Sequence, residues 1–284
     1  NDEEDALTIT YVGDTGADKV TITGGADVET ITITNGDMDD LIINVGDGAN
    51  VVNLTGMTGD NVEITGGKNV DTITGGNDGD EIFAGEGADI INGGAGADVI
   101  TLTETTSALD KVTFSSYATS DTVIGFEVGA GKDQLIFDFS ELEGGTKDFI
   151  RIGKADTSVA NAAEAPTLGT ITGATDLDTV ADAANILVVN IATAIGSTAD
   201  LETALELGGG AAITLDQAAA VGDTFLVAYD NNVNSYIAQV TVGGDAAGDG
   251  ATFAVGELSA TLLVTLDGIA GANTLDVANF DFVA

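Results

Sequence analysis

The sequence contains no cysteine, no histidine and no tryptophan, a single proline, and only seven Lys and Arg among 284 residues. Without Cys there is no disulfide and no thiol chemistry. Without His and Cys, an H-E-x-x-H zinc site, a Ser-His-Asp triad and a Cys-His pair are all excluded within the chain. No G-x-S-x-G elbow and no phosphate-binding G-x-x-x-x-G-K-[ST] loop occurs. Paired carboxylates of the glycosidase kind carry no weight, because 47 acids make such pairs unavoidable by chance. The chain reads as non-enzymatic. Its bases are Lys19, Lys68, Lys111, Lys132, Lys147, Arg151 and Lys154, and none follows Lys154. The formal net charge of −40 argues against nucleic acid and anionic membrane surfaces, and for cations as partners. No uninterrupted apolar run approaches about 18 residues, so no transmembrane segment is predicted. No basic leader and no initiator Met are present, so Asn1 reads as an internal start, a cleavage product or the beginning of a partial chain.

What the chain has in abundance is glycine, acid and a fixed period. From Gly66 to Thr101 it reads GGKNVDTIT, GGNDGDEIF, AGEGADIIN, GGAGADVIT, four nine-residue units without a gap. Each unit has glycine near its front, an acid at the sixth place (Asp71, Asp80, Asp89, Asp98) and isoleucine at the eighth (Ile73, Ile82, Ile91, Ile100). Such a period outranks local propensity as a guide to the fold. The glycines permit a turn with positive φ, and the back half of each unit is a short strand with one large residue pointing inward. One unit cannot bury that residue alone. Two units make a coil of about 18 residues, and successive coils stack as parallel strands about 4.8 Å apart. Asp71 then lies over Asp89, and Asp80 over Asp98.

Carboxylates stacked at that distance repel by roughly 3 kcal/mol per pair at an effective dielectric near 20. Cations between them remove the conflict. The donors on offer are all oxygen, from Asp side chains and the carbonyls of an open turn. Hard oxygen ligands favour several Ca²⁺ ions over zinc or copper. The alternative, a solvated Gly-Asp linker, does not account for an isoleucine held in register four times.

These units resemble the GGxGxDxUx nonapeptide of the RTX calcium-binding family, and Gly93-Gly94-Ala95-Gly96-Ala97-Asp98 follows it in full. The third unit opens on Ala84, and the first and second carry Asn69 and Asp78 at the fourth place. The resemblance implies a calcium-loaded parallel β-roll. The metal ligands expected on it are Asp71, Asp78, Asp80, Asp89 and Asp98, with Gly76, Asn77, Gly85, Gly87, Gly94 and Gly96 in the turns.

Residues 1–65 read as a looser form of the repeat, as in Gly24 to Thr32 with Glu29 in the acid place and Val45 to Val52. The inward apolar positions are predicted at Val20, Ile31, Ile42, Val52 and Ile64. A separate β-sandwich is the alternative, and Asp18, Asp40 and Asp60 read as surface turn acids or ligands. Residues 102–150, rich in Phe, read as a cap for the open end of the roll. This segment is similar to the D-x-I-x-x-F…G-x-D-x-I/L-x-F/L stretch that follows RTX repeats. The similarity implies Asp121 and Asp133 as further ligands, whereas the residues alone are equally an ordinary hairpin with acidic turns.

Residues 151–284 change in character and read as a β-rich (α+β) domain. A helix is predicted over Thr175–Ala184, a strand over Ile186–Ile195, and a capped helix over Ser197–Leu207. A hairpin joins Phe225–Tyr229 to Ser235–Val240, and a strand covers Leu258–Leu266. The tail from Asn273 to Ala284 is similar to the carboxy-terminal signal of type I secretion substrates that share the RTX repeats.

The predicted fold is therefore mainly β: a parallel β-roll or β-helix solenoid over 1–65 and 66–101, a cap over 102–150, and a β-rich carboxy-terminal domain over 151–284. At 44% apolar residues the chain is too hydrophobic for permanent disorder. The expectation is a secreted calcium-binding structural protein of the cell surface: an S-layer, matrix or filament subunit that self-associates after export by a type I secretion apparatus. The carboxy-terminal part of a large RTX adhesin, or the secretion and folding domain of an RTX protease or lipase, are the alternatives.

Overall fold

The computed structural model describes residues 19–34, 40–59, 62–143, 166–173, 175–176, 184–206, 208–215, 221–244 and 251–283. The described chain divides into two compact units whose boundary falls between Ile136 and Phe137, with Val128–Ala130 belonging to the second.

The first unit is a solenoid of about six turns. Its strands are β1 (Lys19–Thr23), β2 (Thr30–Thr32), β3 (Asp40–Asn44), β4 (Val51–Asn53), β5 (Val62–Lys68) and β6 (Thr72–Thr74). They continue with β7 (Asp80–Glu86), β8 (Ile90–Asn92), β9 (Val99–Thr101), β10 (Lys111–Phe114), β11 (Asp121–Ile124) and β12 (Gln134–Asp138). Odd-numbered strands pair in parallel on one face and even-numbered strands on the other. The stack runs unbroken from β1, so the described residues before Gly66 belong to the same solenoid and not to a sandwich.

Two apolar columns fill the interior. Ile22, Ile43, Ile64, Ile82, Ile100 and Val123 are in register on one side. Ile31, Val52, Ile73, Ile91 and Val112 are in register on the other. All of these are buried. The expectation for Ile42 is corrected: it is on the half-exposed face, and Ile43 takes the inward place, whereas Val20 shares the inward face with Ile22, in register with Leu41, and is half-buried there. A shift of one residue exchanges the faces of a strand, and the run Leu41-Ile42-Ile43 does not reveal which member faces in.

Coil length varies while strand register does not. Equivalent turn residues are 21 apart from Glu29 to Asn50 and from Asn50 to Asp71, and 18 apart within the strict repeats. The interval then widens to 21 from Asp89 to Asp110 and to 23 from Asp110 to Asp133. The extra residues go into turns, where added length costs little closure entropy.

The second unit contains α1 (Phe139–Glu143), β13 (Leu168–Ile171), β14 (Thr175–Asp176), β15 (Ile186–Val189), α2 (Thr198–Leu205), β16 (Ile213–Leu215) and β17 (Thr224–Asp230). After them come β18 (Ser235–Val242), β19 (Ala251–Thr252), β20 (Leu258–Asp267) and β21 (Phe280–Val283). Strands β13, β15 and β17 are parallel, and β17, β18 and β20 continue as an antiparallel meander. Leu187, Phe225, Val227, Tyr229, Val240 and Phe253 form its core with Leu201 and Leu205 of α2. Ser197 caps α2 by accepting from the Asp200 N–H at 3.1 Å. Glu202 of α2 and its C-cap Glu206 accept from backbone N–H groups of Ala260 and Leu258 in β20, which fastens helix to sheet. The helix predicted over Thr175–Ala184 is corrected at its start, where Thr175–Asp176 pair with β16 as a strand, and residues 177–183 lie outside the described residues. In the tail, Phe280 and Phe282 are buried and Phe282 meets Phe139 edge-on.

Replacing Ile91 by Ala removes a fully buried column member and is expected to cost about 2–5 kcal/mol in urea unfolding at fixed Ca²⁺. Thr72→Ala, on the half-exposed face, should stay within about 0.5 kcal/mol.

Candidate metal centre

The acids at the sixth place do not line the outside of the turns. Asp71, Asp80, Asp89 and Asp98 are all buried, at 3% exposure or less. Each sits where the turn enters the next strand, so its side chain points into the solenoid beside the apolar columns. There Asp71, Asp89 and Asp98 each accept a hydrogen bond from the backbone one coil earlier, whereas Asp80 accepts only from its own turn. Asp71 Oδ1 accepts from Asn50 N–H at 2.8 Å, and Asp89 Oδ1 from Asp71 N–H at 2.7 Å. Asp98 Oδ1 accepts from Asp80 N–H at 2.9 Å.

The ladder is longer than the four units. Asp110 accepts from Asp89 N–H, Asp121 from Asp98 N–H and Asp133 from Asp110 N–H, at 2.8–3.0 Å. Upstream, Asn50 Oδ1 accepts from Glu29 N–H. One column is thus Glu29, Asn50, Asp71, Asp89, Asp110 and Asp133, and the other is Asp80, Asp98 and Asp121. In the second column the rungs before Asp80 are Val62 and Leu41, both buried, so acid gives way to hydrocarbon there. Asp110 escaped the repeat reading because the turn before it is long. Its signal is the triplet acid–any–apolar, Asp110-Lys111-Val112, which also marks Asp98-Val99-Ile100 and Asp121-Thr122-Val123.

The second oxygen of each acid divides the turns into two kinds. In one kind it accepts an N–H from its own turn. Gly25 donates to Glu29 at 2.8 Å, Gly67 to Asp71 at 3.1 Å, and Gly76 to Asp80 at 2.6 Å. In the other kind the matching glycine has positive φ, as at Gly85 (105°) and Gly94 (101°), followed by Gly87 (134°) and Gly96 (113°). There Asp89 Oδ2 and Asp98 Oδ2 are buried with no hydrogen-bond partner; Asp80 Oδ1 and Glu29 Oε2, in turns of the first kind, are likewise bare. Glycine is required at these turns for space as well as φ. A Cβ on Gly94 would lie 2.1 Å from the Gly76 carbonyl oxygen, and one on Gly87 would lie 2.2 Å from that of Asn69.

Other expected ligands stand differently. Asn77 and Asp78 are exposed, and Asp78 accepts from Gly59 N–H at 3.1 Å. The Gly76 carbonyl accepts from Ala95 N–H at 3.0 Å, and the Gly96 carbonyl accepts from the Thr119 hydroxyl. Asp133 uses both oxygens, the second on Glu127 N–H at 2.7 Å. Asp40 faces Lys19, while Asp18 and Asp60 lie outside the described residues. Among the described residues no three acidic side chains converge on one point. A cation held here needs turn carbonyls beside the aspartates.

Burial is the largest influence on these carboxyls and raises all of them. Asp80, Asp89, Asp110 and Asp121 are pushed up to about 7, and Asp98 to about 6. Asp71 and Asp133 are raised by the same cause. A buried oxygen without a donor is costly for a carboxylate and is relieved by a proton or a cation. The unpartnered oxygens, the all-oxygen donor set and the open glycine turns fit Ca²⁺.

In chelator, the folded carboxyls retain protons that the unfolded chain releases near pH 4. Linkage then makes the metal-free solenoid most stable in acid, with stability lost as pH rises from about 4 through 7. By circular dichroism in chelator, β structure is expected to be retained at pH 4.5 and lost at pH 8. The opposite outcome would contradict the burial of these groups.

Residues 64–100 match the family model of the RTX calcium-binding nonapeptide repeat, in 4 copies. No curated protein and no solved structure matches the chain. Over residues 64–100 the chain carries RTX calcium-binding nonapeptide repeats, wound into a parallel β-solenoid around buried aspartates.

Proposed function

We propose that this chain is an extracellular structural protein whose solenoid is completed by Ca²⁺, and that it acts as an S-layer, matrix or filament subunit. The observation that carries the reading is the set of buried, unpartnered carboxylate oxygens on Asp80, Asp89 and Asp98, within the stretch that matches calcium-binding repeats. Asp89 would hold one ion with the turn carbonyls of Gly85 and Gly87, and Asp98 another with those of Gly94 and Gly96. A bound Ca²⁺ supplies positive charge and about six to eight coordination positions for oxygen.

The chain's own residues explain why folding depends on that charge. Every inward aspartate except Asp80 holds the coil before it by its N–H, so the ladder closes only when the carboxylates are tolerated inside. At neutral pH and low Ca²⁺ they oppose closure, and a net charge of −40 adds self-repulsion. An unfolded chain suits export through a type I apparatus, and millimolar Ca²⁺ outside the cell suits folding. The absence of His and Cys supports a non-catalytic role. Among the described residues, no helix is long and apolar enough to cross a membrane.

Circular dichroism during Ca²⁺ titration at pH 7.5 should show β structure appear with metal and disappear with chelator; an unchanged spectrum would refute the folding step. Asp89→Ala should raise the Ca²⁺ midpoint about tenfold or more. Asp267→Ala, an exposed acid of the second unit, should leave it in place. Electron microscopy at millimolar Ca²⁺ should show sheets or filaments, and monodisperse particles throughout would remove the assembly role.

A further inference from the structure

One polar rung of the ladder carries no charge. Asn50 occupies the acid place of the turn Val45-Gly46-Asp47-Gly48-Ala49-Asn50, between Glu29 and Asp71. Its turn is of the same kind as those of Asp89 and Asp98. The three sequences, VGDGAN, AGEGAD and GGAGAD, share G-x-G-A before the last residue. Their glycines share positive φ: Gly46 at 75° and Gly48 at 119°, beside 105° and 134° in the Asp89 turn and 101° and 113° in the Asp98 turn.

The turns also pack alike on the preceding coil. A Cβ on Gly46 would lie 2.2 Å from the Gly25 carbonyl oxygen, as one on Gly85 would lie 2.4 Å from that of Gly67 and one on Gly94 2.1 Å from that of Gly76. The backbone is therefore the same, and the side chain at the end is what differs.

Asn50 reproduces the aspartate's ladder bond and adds what the aspartates lack. Its Oδ1 accepts from Glu29 N–H at 2.8 Å, as Asp89 Oδ1 accepts from Asp71 N–H at 2.7 Å. Because an N–H pairs only with the oxygen, the amide orientation is fixed. Its Nδ2 then donates to the carbonyls of Gly46 and Gly48, both at 3.3 Å. That nitrogen corresponds to Asp89 Oδ2 and Asp98 Oδ2, the atoms left without partners. Asn50 is 1% exposed and has no unpartnered polar atom. An aspartate in its place would set a carboxylate oxygen against two carbonyl oxygens, which only a cation or a proton reconciles.

We propose that Asn50 is a built-in substitute for a bound cation: its amide N–H groups take the two turn carbonyls and leave the 45–50 turn closed without metal. The proposal rests on the reading that the Asp89 and Asp98 turns bind Ca²⁺. It makes the solenoid a composite, with a metal-free turn ahead of the strict repeats on the same column. The difference between the two kinds of rung is one atom, N for O.

The test is a count of bound Ca²⁺ on chelator-stripped whole chain at pH 7.5, by equilibrium dialysis and calorimetry. Asn50→Asp is expected to bind one ion more than the parent chain. Asp89→Asn is expected to bind one ion fewer while keeping its β spectrum, since the new amide can donate to the Gly85 and Gly87 carbonyls. Asn50→Ala should bind the same number as the parent and unfold at lower urea in saturating Ca²⁺. An Asn50→Asp chain that folds and gains no ion would overturn the proposal. So would an Asp89→Asn chain that keeps its full complement, or an Asn50→Ala chain that loses an ion. A parent chain that binds no Ca²⁺ would instead sink the calcium reading beneath it, and the two failures are distinct.

Discussion

The solenoid depends on one recurring bond: a carboxylate or amide oxygen, buried where the turn becomes a strand, accepting the backbone N–H of the equivalent residue one coil earlier. This bond does what strand pairing does, at the point where pairing stops. It carries the stack around the corner and fixes the height of each turn. It also forces a charged group into the interior, because the acceptor must lie beneath the preceding coil. Everything else in the turn is a response to that burial.

The chain answers in more than one way. Where the second glycine keeps its N–H inward, as at Gly67 and Gly76, the turn itself satisfies the second oxygen of Asp71 or Asp80. Where positive φ reverses that peptide, as at Gly85 and Gly94, the oxygen is left bare. Where the acid is an amide, at Asn50, the side chain supplies its own donors. Earlier in the second column the acid is abandoned for Val62 and Leu41. Three of the four bare oxygens, on Asp80, Asp89 and Asp98, fall in the stretch that matches the calcium-binding repeats, and the fourth, on Glu29, lies before it. Turn length is free to vary from coil to coil because the ladder bond, and not the spacing, sets the register.

Much of this was legible in the residues. The nine-residue period requires a coil, since an isolated isoleucine per unit has nowhere else to go. The stacking of Asp71 on Asp89 and of Asp80 on Asp98 follows from that period alone. In the second unit, Ser197 three residues before Asp200 announces the capped helix, and Asp230-Asn231-Asn232 announces the hairpin between β17 and β18. Less was legible where patterns were short. Leu41-Ile42-Ile43 hides which residue faces in. Asp110 is masked by its long turn. The Thr175-Asp176 pair looks like a helix start and pairs as a strand, because a partner at Ile213 and Thr214 outweighs local preference.

The sequence by itself determined the period, the inward isoleucines, the glycine turns and the all-oxygen chemistry, because each follows from residue type at fixed spacing. Tertiary structure alone decided that the aspartates face inward, which of their oxygens lack a donor, and that Asn50 closes its turn unaided. Those outcomes depend on which way a peptide in the turn points. That direction is settled by the coil stacked against it, which no single repeat contains.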